Sequence, residues 1–213
     1  MPAQQIPTDA RTHLWRALDL HHEAGDVVGQ AHTHIKLAMT WWRAGNSRDD
    51  QPHADKALDQ ARHALELYRT AGHRWGEANA LNAVGWFQVL LGRPQEAISP
   101  CRAALALLEE LDLSGRANTW DSIAYAHHLL GQHTEAITCY QHSLDLYRRL
   151  GDRFFEADII SYLGDAYHAV GQPELARAAW REALVIFDGL DHPDAERVRT
   201  QLVALDSPPP RTR

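Results

Sequence analysis

The sequence repeats itself at intervals of about 40 residues, which restricts the chain to folds built from stacked copies of one unit. Four alanines form one column of the repeat at spacings of 40, 39 and 40 residues: Ala57, Ala97, Ala136 and Ala176. A column of leucines keeps the same spacings: Leu65, Leu105, Leu144 and Leu184. Because two independent columns agree, the chain is predicted to be an array of equivalent units.

Each unit is predicted to be a pair of helices. Apolar residues recur three and four positions apart on both sides of a glycine, which is the period of an α-helix with one buried face. In the second unit Gly92 marks the turn, and Pro94 suits the first turn of the next helix. Small residues such as Gly85 and Ala97 allow the two helices to approach closely.

The repeat columns also predict how the chain is divided. We expect disordered termini at 1–7 and 206–213, and between them one solenoid at 8–205. The expected segments are a half-repeat at 8–25, repeats at 26–72, 73–112, 113–151 and 152–191, and a capping helix at 193–205. The unpaired half-repeat favours a chain cut from a longer array. The polar residues of the capping helix, which we expect to face outward, are Glu196, Arg197, Arg199 and Gln201.

One irregularity lies in the first repeat. Gly45 and Ala57 are twelve residues apart, whereas the equivalent pairs in the other repeats are five apart. The additional residues therefore fall within 46–56. Their polar composition predicts an exposed loop.

Composition excludes several classes of function. The formal charge is −7 and no basic run is present, so direct nucleic-acid binding is not expected. No run of 18 or so apolar residues occurs, so no membrane span is expected either. The two cysteines, Cys101 and Cys139, are too few for a secreted disulfide scaffold, which favours a cytoplasmic protein with reduced thiols.

The repeated residues resemble the tetratricopeptide repeat. In the third unit the pattern consists of an aliphatic-small pair, a glycine turn, an alanine, an aromatic residue and a Ser-Leu pair: Ile123-Ala124, Gly131, Ala136, Tyr140 and Ser143-Leu144. The resemblance covers about 26–205. Its elongated units are similar to the C-terminal arrays of bacterial signal-transduction ATPases and antibiotic-pathway regulators. It implies an all-α, right-handed superhelical solenoid of antiparallel helix pairs that binds proteins or peptides.

The resemblance also implies which residues line the concave surface. One helix of each repeat would face this groove with four columns of residues. These columns are Asn79, Asn118 and Asp158; Asn82, Asp121 and Ser161; Trp86, Tyr125 and Asp165; and Val89, His128 and His168. Amide side chains can pair with the backbone of an extended peptide, and aromatic residues can anchor it. A ligand of neutral or basic character fits this set better than an acidic one. The alternative is that the polar residues only solvate an exposed helix face.

The sequence offers little for catalysis or cofactor binding. It contains no Gly-x-Ser-x-Gly, no phosphate-binding loop and no His-Glu-x-x-His, so no enzyme activity and no cofactor are expected. The histidines include adjacent pairs such as His127-His128, whose side chains point about 100° apart on a helix, so no metal site is expected.

Several functions remain open. The resemblance favours the C-terminal regulatory or sensing arm of a larger transcriptional regulator. The first alternative is a free-standing adaptor or peptide-pheromone receptor. The second, from a different class, is a small-molecule-binding protein or enzyme subunit that uses a groove lined by His and Asp. The uncapped half-repeat, with Leu14, Trp15 and Leu18, also favours a homodimer through this end.

Overall fold

A computed structural model describes residues 8–44, 51–108 and 112–206. These residues form ten α-helices and contain no β-strand, which confirms the all-α prediction. The helices are α1 Thr8–Glu23, α2 Val27–Ala44, α3 Gln51–Thr70, α4 Arg74–Leu90, α5 Pro94–Leu107, α6 Leu113–Leu129, α7 His133–Leu150, α8 Arg153–Ala169, α9 Pro173–Gly189 and α10 Asp194–Asp206. The disorder predicted at 1–7 lies outside the described residues, and so does the tail predicted at 206–213 except for Asp206, which belongs to α10.

The chain divides into two compact units, Met1–Gly115 and Arg116–Arg213. In unit 1, α1 packs on α2, α2 on α3, α3 on α4 and α4 on α5. In unit 2, α7 packs on α8, α8 on α9 and α9 on α10, while Ser143 of α7 donates a hydrogen bond to the Ala117 carbonyl of α6. Consecutive helices are thus neighbours, as a solenoid of helix pairs requires.

The turns between helices use the same local chemistry in successive repeats. Gly151 ends α7 with a left-handed backbone, φ 70°, a conformation that glycine adopts without steric penalty. Asp152 follows as the N-cap of α8, and its carboxylate accepts a hydrogen bond from the Phe155 N–H at 3.2 Å. At the last turn Asp191, with φ 51°, takes the place of the glycine.

The prediction of a loop over 46–56 is wrong for its second half, because α3 already begins at Gln51. Ala54 and Leu58, four residues apart, are both buried, so the helical face continues into the inserted segment. The ammonium of Lys56 lies 4.4 Å from the ring centroid of Trp41 in α2. Residues 46–50 of the predicted loop lie outside the described residues.

The closest helix approach in unit 2 depends on a glycine. A Cβ atom at Gly164 in α8 would lie 2.4 Å from Cδ1 of Trp180 in α9, so the indole occupies the space that any larger side chain needs. Trp180 is 3% exposed and therefore has no free volume to move into. The glycine of this repeat column thus lets a tryptophan lie against the backbone of the partner helix.

We therefore expect Gly164→Ala to destabilise the protein by about 1–3 kcal/mol, since the methyl group must displace the indole. Gly189→Ala is the matched control, because no atom lies within 4 Å of a Cβ at that position of α9. The control should change the free energy of unfolding by less than about 1 kcal/mol. Urea denaturation of both variants measures the difference, and equal stabilities would refute the packing argument.

Candidate functional site

In unit 2, α6 and α8 carry a set of acidic and aromatic side chains that we call the acidic face: Asp121, Tyr125, Asp158, Tyr162 and Asp165. On α8 the carboxylates of Asp158 and Asp165 are seven residues apart and Tyr162 lies between them, so the three share one side of the helix. Tyr125 of α6 contacts Tyr162 with ring centroids 5.7 Å apart, which brings the two helices together at this face.

Asp165 of α8 is held in place by side chains of two other helices. Its Oδ1 accepts hydrogen bonds from the Trp180 indole N–H of α9 at 2.9 Å and from the Gln201 amide of α10 at 2.6 Å. Burial nevertheless raises the pKa of Asp165, because desolvation of the carboxylate outweighs these donors and the nearby Arg197. The carboxyl group is therefore fixed in position but incompletely compensated.

Arg197 of α10 lies over the acidic face. Its guanidinium nitrogens are 3.9 Å from Asp158 Oδ1 and 3.8 Å from Asp165 Oδ2, and its Cζ lies 5.5 Å from the ring centroid of Tyr162. An arginine between two carboxylates and against an aromatic ring combines ion pairing with a cation–π contact. This part of the face therefore has the geometry to hold a guanidinium group.

Asp121 has a different environment. Burial, followed by repulsion from the Asp158 carboxylate, raises the pKa of Asp121 to about 8. No ion pair to Asp121 is found among the described residues. At neutral pH this carboxyl group is mostly protonated, and a cation placed beside it would favour the ionised form.

Two buried hydroxyl groups border the acidic face. Tyr140 of α7 stacks on Tyr162 with ring centroids 5.8 Å apart, and its hydroxyl is buried. Ser161 of α8 is also fully buried. Neither hydroxyl has a hydrogen-bond partner within 8–44, 51–108 or 112–206. Buried polar groups are seldom left unpaired, so these two hydroxyl groups are exceptions inside the face.

A pocket of about 350 Å³ adjoins the acidic face at Asp165, and we call it the histidine pocket. It is lined by His128, His133, Asp165, His168, Ala169, Trp180, Gln201, Ala204 and Leu205. The rings of His128 and His133 meet edge to face at 5.0 Å, and His168 tilts against Trp180 at 5.7 Å. Burial lowers the pKa of His128, which keeps its imidazole neutral near pH 7.

The groove residues predicted in unit 1 have varied surroundings. Asn79 is exposed and lines a groove of about 550 Å³ together with His32, Lys36 and Trp75. Trp86 is half-buried. The Asn82 Oδ1 accepts a hydrogen bond from the Cys101 thiol of α5 at 3.7 Å, so the Asn82 side chain points towards the partner helix.

The expectation of an exposed side chain is wrong at three of the predicted positions. Val89 is 2% exposed, Tyr125 is 9% exposed and Ser161 is fully buried. Asn118 is half-buried, and its Oδ1 accepts a hydrogen bond from the Tyr147 hydroxyl at 2.7 Å. At these positions side-chain packing accounts for the residue type.

Four residues around Asp165 and the acidic face were not expected from the sequence. Tyr162 is four residues from Asp158, so helical spacing alone could have placed it on the same face. Trp180 was not among the residues predicted to line the groove. Arg197 and Gln201 were expected to face outward on the capping helix, which is wrong, because both contact Asp165 of α8.

Within the described ranges, no three His, Cys, Asp or Glu side chains are grouped so that they could hold a metal ion. No described helix is both long enough and apolar enough to cross a bilayer.

Comparison with known proteins now adds to these observations. Residues 115–201 match the sequence model of the tetratricopeptide repeat. This part of the chain consists of tetratricopeptide repeats. The resemblance suggested by the repeat columns is therefore confirmed, and the match covers the whole acidic face and most of the histidine pocket.

A sequence relative is a regulatory protein, AfsR, from Streptomyces griseus. It is 26% identical over an alignment of 224 residues that covers 91% of this chain and 22% of that protein. The chain thus spans about a fifth of the length of this relative.

Two solved structures share the fold. One is a signal transduction ATPase with numerous domains that has a tetratricopeptide repeat sensor, from Pyrococcus horikoshii. It superposes with a TM-score of 0.74 at 18% identity, over 93% of this chain and 30% of that one. The other, BtubC from P. vanneervenii, superposes with a TM-score of 0.67 at 19% identity, over 95% and 75% of the two chains.

The raised pKa of Asp121 predicts a specific pH dependence of stability. Because the folded protein holds this proton more tightly than the unfolded chain, the free energy of unfolding should fall as the pH rises from 3.8 towards about 8. Asp121→Asn removes this decrease, so the variant should gain about 1–3 kcal/mol relative to wild type between about pH 6 and pH 8.

Urea denaturation at several pH values measures this gain, with Asp145→Asn on the exposed face of α7 as the control for the lost charge. Carboxyl-carbon NMR should show Asp121 titrating near pH 8. A stability difference that stays constant over this pH range would contradict the assigned environment of Asp121.

Proposed function

We propose that this chain is a protein-interaction module whose acidic face binds a protein segment through an arginine or lysine side chain. The observation that carries the proposal is Arg197, whose guanidinium lies between Asp158 and Asp165 and against Tyr162. A surface that holds the chain's own guanidinium has the charge and the ring geometry for another basic side chain. Tetratricopeptide repeats, which typically bind proteins, provide a suitable scaffold.

The proposed position for the incoming cation is beside Asp121 and Asp158. Arg197 contacts Asp158 and Asp165, whereas no cation pairs with Asp121 in the described part of the chain. Two neighbouring carboxyl groups attract a cation most strongly when both are ionised. Tyr125 lies one helical turn from Asp121 on α6, and its buried ring packs against Tyr162 behind the proposed position of the cation.

We further propose that the module is the regulatory arm of a larger regulator. The relative from Streptomyces griseus is a regulatory protein, and the Pyrococcus horikoshii protein is a signal transduction ATPase whose repeats form a sensor. In both, the matched part is less than a third of the whole chain. This proposal predicts that a nucleotide-binding domain is encoded immediately upstream of this sequence.

An array of random nonapeptides with one fixed position tests the binding proposal. The fixed residue is arginine, citrulline or glutamate. Citrulline has nearly the shape of arginine without its charge, and glutamate carries the opposite charge. We expect the arginine peptides to bind best, and we expect Asp158→Asn to weaken this binding roughly tenfold or more. Arg197→Gln should strengthen it, because Asp158 loses its internal partner.

The matched control is again Asp145→Asn, which removes an exposed carboxylate from α7, the helix that precedes α8. Selected peptides are then measured in solution by fluorescence anisotropy. The proposal fails if citrulline peptides bind as tightly as arginine peptides, or if Asp158→Asn and Asp145→Asn reduce binding equally.

Binding should also release protons. A cation beside Asp121 stabilises its carboxylate and lowers a pKa that is about 8 in the free protein. The affinity for an arginine peptide should therefore rise between about pH 6.5 and pH 8.5, and calorimetry near pH 7 in buffers of different ionisation enthalpy should detect the released proton. In Asp121→Asn the proton release should disappear. If wild type and Asp121→Asn release the same number of protons, the cation does not bind beside Asp121.

A further inference from the structure

The histidine pocket is chemically distinct from the acidic face, although both include Asp165. Its volume of about 350 Å³ is at the lower end of the range for small-molecule sites. Four of its nine lining residues are aromatic or imidazole rings, and α10 closes one side with Gln201, Ala204 and Leu205. We infer that this pocket binds a small organic cation with a planar amidinium or guanidinium group.

The hydrogen-bonding groups of the pocket favour a ligand that donates. The Gln201 amide uses its N–H to bind Asp165, and its Oε1 is buried and has no hydrogen-bond partner among the described residues. The Nδ1 atoms of His128 and His133 are likewise buried and unpaired in the described part of the chain. Amide oxygens accept hydrogen bonds, and so does the unprotonated nitrogen of a neutral imidazole. A group with several N–H bonds complements these acceptors.

The charges at the pocket favour a cation over an anion. Asp165 contributes a carboxyl group, and neither lysine nor arginine is present among the described lining residues. Arg197 approaches the other oxygen of Asp165 at 3.8 Å, which is beyond hydrogen-bond distance. His128 faces His133 of α7 and Asp165 of α8, and its neutral form at pH 7 adds no positive charge. An anionic ligand would lie beside the Asp165 carboxylate, and Arg197, which pairs with that carboxylate, does not line the pocket.

The shape of the walls favours a planar group. The Trp180 indole and the His168 imidazole lie 5.7 Å apart, and Trp180 is fixed by its hydrogen bonds to Asp165 and to the Ser161 carbonyl. Planar cations stack favourably on such rings. A rigid aromatic wall beside an acidic group and several acceptors matches the stacking face, charge and N–H donors of an amidinium.

This inference does not depend on the proposed function. The acidic face is tested by Asp121 and Asp158, and neither of these residues lines the histidine pocket. The pocket can therefore bind a small cation even if no protein segment binds to the acidic face. The acidic face can likewise bind a protein segment even if the pocket binds no small cation.

Three ligands of nearly equal shape and different charge provide the test: benzamidinium, benzamide and benzoate. They are titrated into the full chain and followed by NMR of the Trp180 indole N–H and the Gln201 side-chain amide. We expect benzamidinium to shift both signals with a dissociation constant of about a millimolar, benzamide to bind at least tenfold more weakly, and benzoate not to bind. Equal binding of all three ligands, or no shift with benzamidinium, would overturn the inference.

Two variants of α10 locate the binding. Ala204→Trp places a large side chain in the pocket from an exposed position, so it should abolish the benzamidinium shifts. Val203→Trp is the matched control, because Val203 is 67% exposed on the same helix and does not line the pocket. Unchanged binding in Ala204→Trp, with both variants folded by circular dichroism, would place the ligand elsewhere and refute the site.

The same cationic group can be carried by a free molecule or by an arginine of a bound protein segment. Competition distinguishes the two sources. If benzamidinium displaces an arginine peptide and Ala204→Trp weakens that peptide, the pocket accepts a peptide side chain. If benzamidinium and the peptide bind together, the pocket is a separate small-molecule site. Both results support the assigned chemistry of the pocket, and they differ only in the source of the ligand.

Discussion

The contact between Trp180 and Gly164 links the packing of unit 2 to its polar site. Because position 164 has no side chain, the indole lies against the backbone of α8, and its N–H reaches the Ser161 carbonyl and the Asp165 carboxylate. One side chain therefore joins two helices and fixes an acidic group. Without this close approach, the wall of the histidine pocket and the position of Asp165 would both be undefined.

The same repeat column has a parallel role in unit 1. There Cys101 occupies the position that corresponds to Trp180, and a Cβ at Gly85 would lie 2.2 Å from its sulfur. The Cys101 thiol contacts the Asn82 side chain at 3.7 Å, much as the indole contacts Asp165. In both units, the residue of the second helix that packs on the glycine also contacts a polar side chain of the first helix. Cys101 contacts Asn82, and Trp180 contacts Asp165. The columns of packing residues and the columns predicted to line the groove are therefore not independent in this array.

This dependence explains what could be predicted from the sequence. The helix pairs follow from local periodicity, since each helix buries residues that recur every three or four positions. The acidic column of α8 follows from the same spacing. Burial of Val89 and Ser161 could not be inferred from their columns, because it is set by the particular side chains of the neighbouring helix. The helical start at Gln51 was missed because polar composition was given more weight than the buried period of Ala54 and Leu58.

The helix that departs most from the repeat pattern is α10. Its Arg197 makes the two ends of the acidic face electrostatically different. Ala195 and Val198 are buried, so this helix packs as the predicted cap does, but its Arg197 and Gln201 contact Asp165 instead of facing solvent. Asp158 and Asp165 therefore have a cation beside them, whereas Asp121 has none among the described residues and is kept mostly protonated at neutral pH by burial. In the proposed binding mode, a basic segment gains most at the α6 side, where its own charge would ionise Asp121, and least beside Arg197. In that mode the capping helix would set the orientation of a ligand with one charged end.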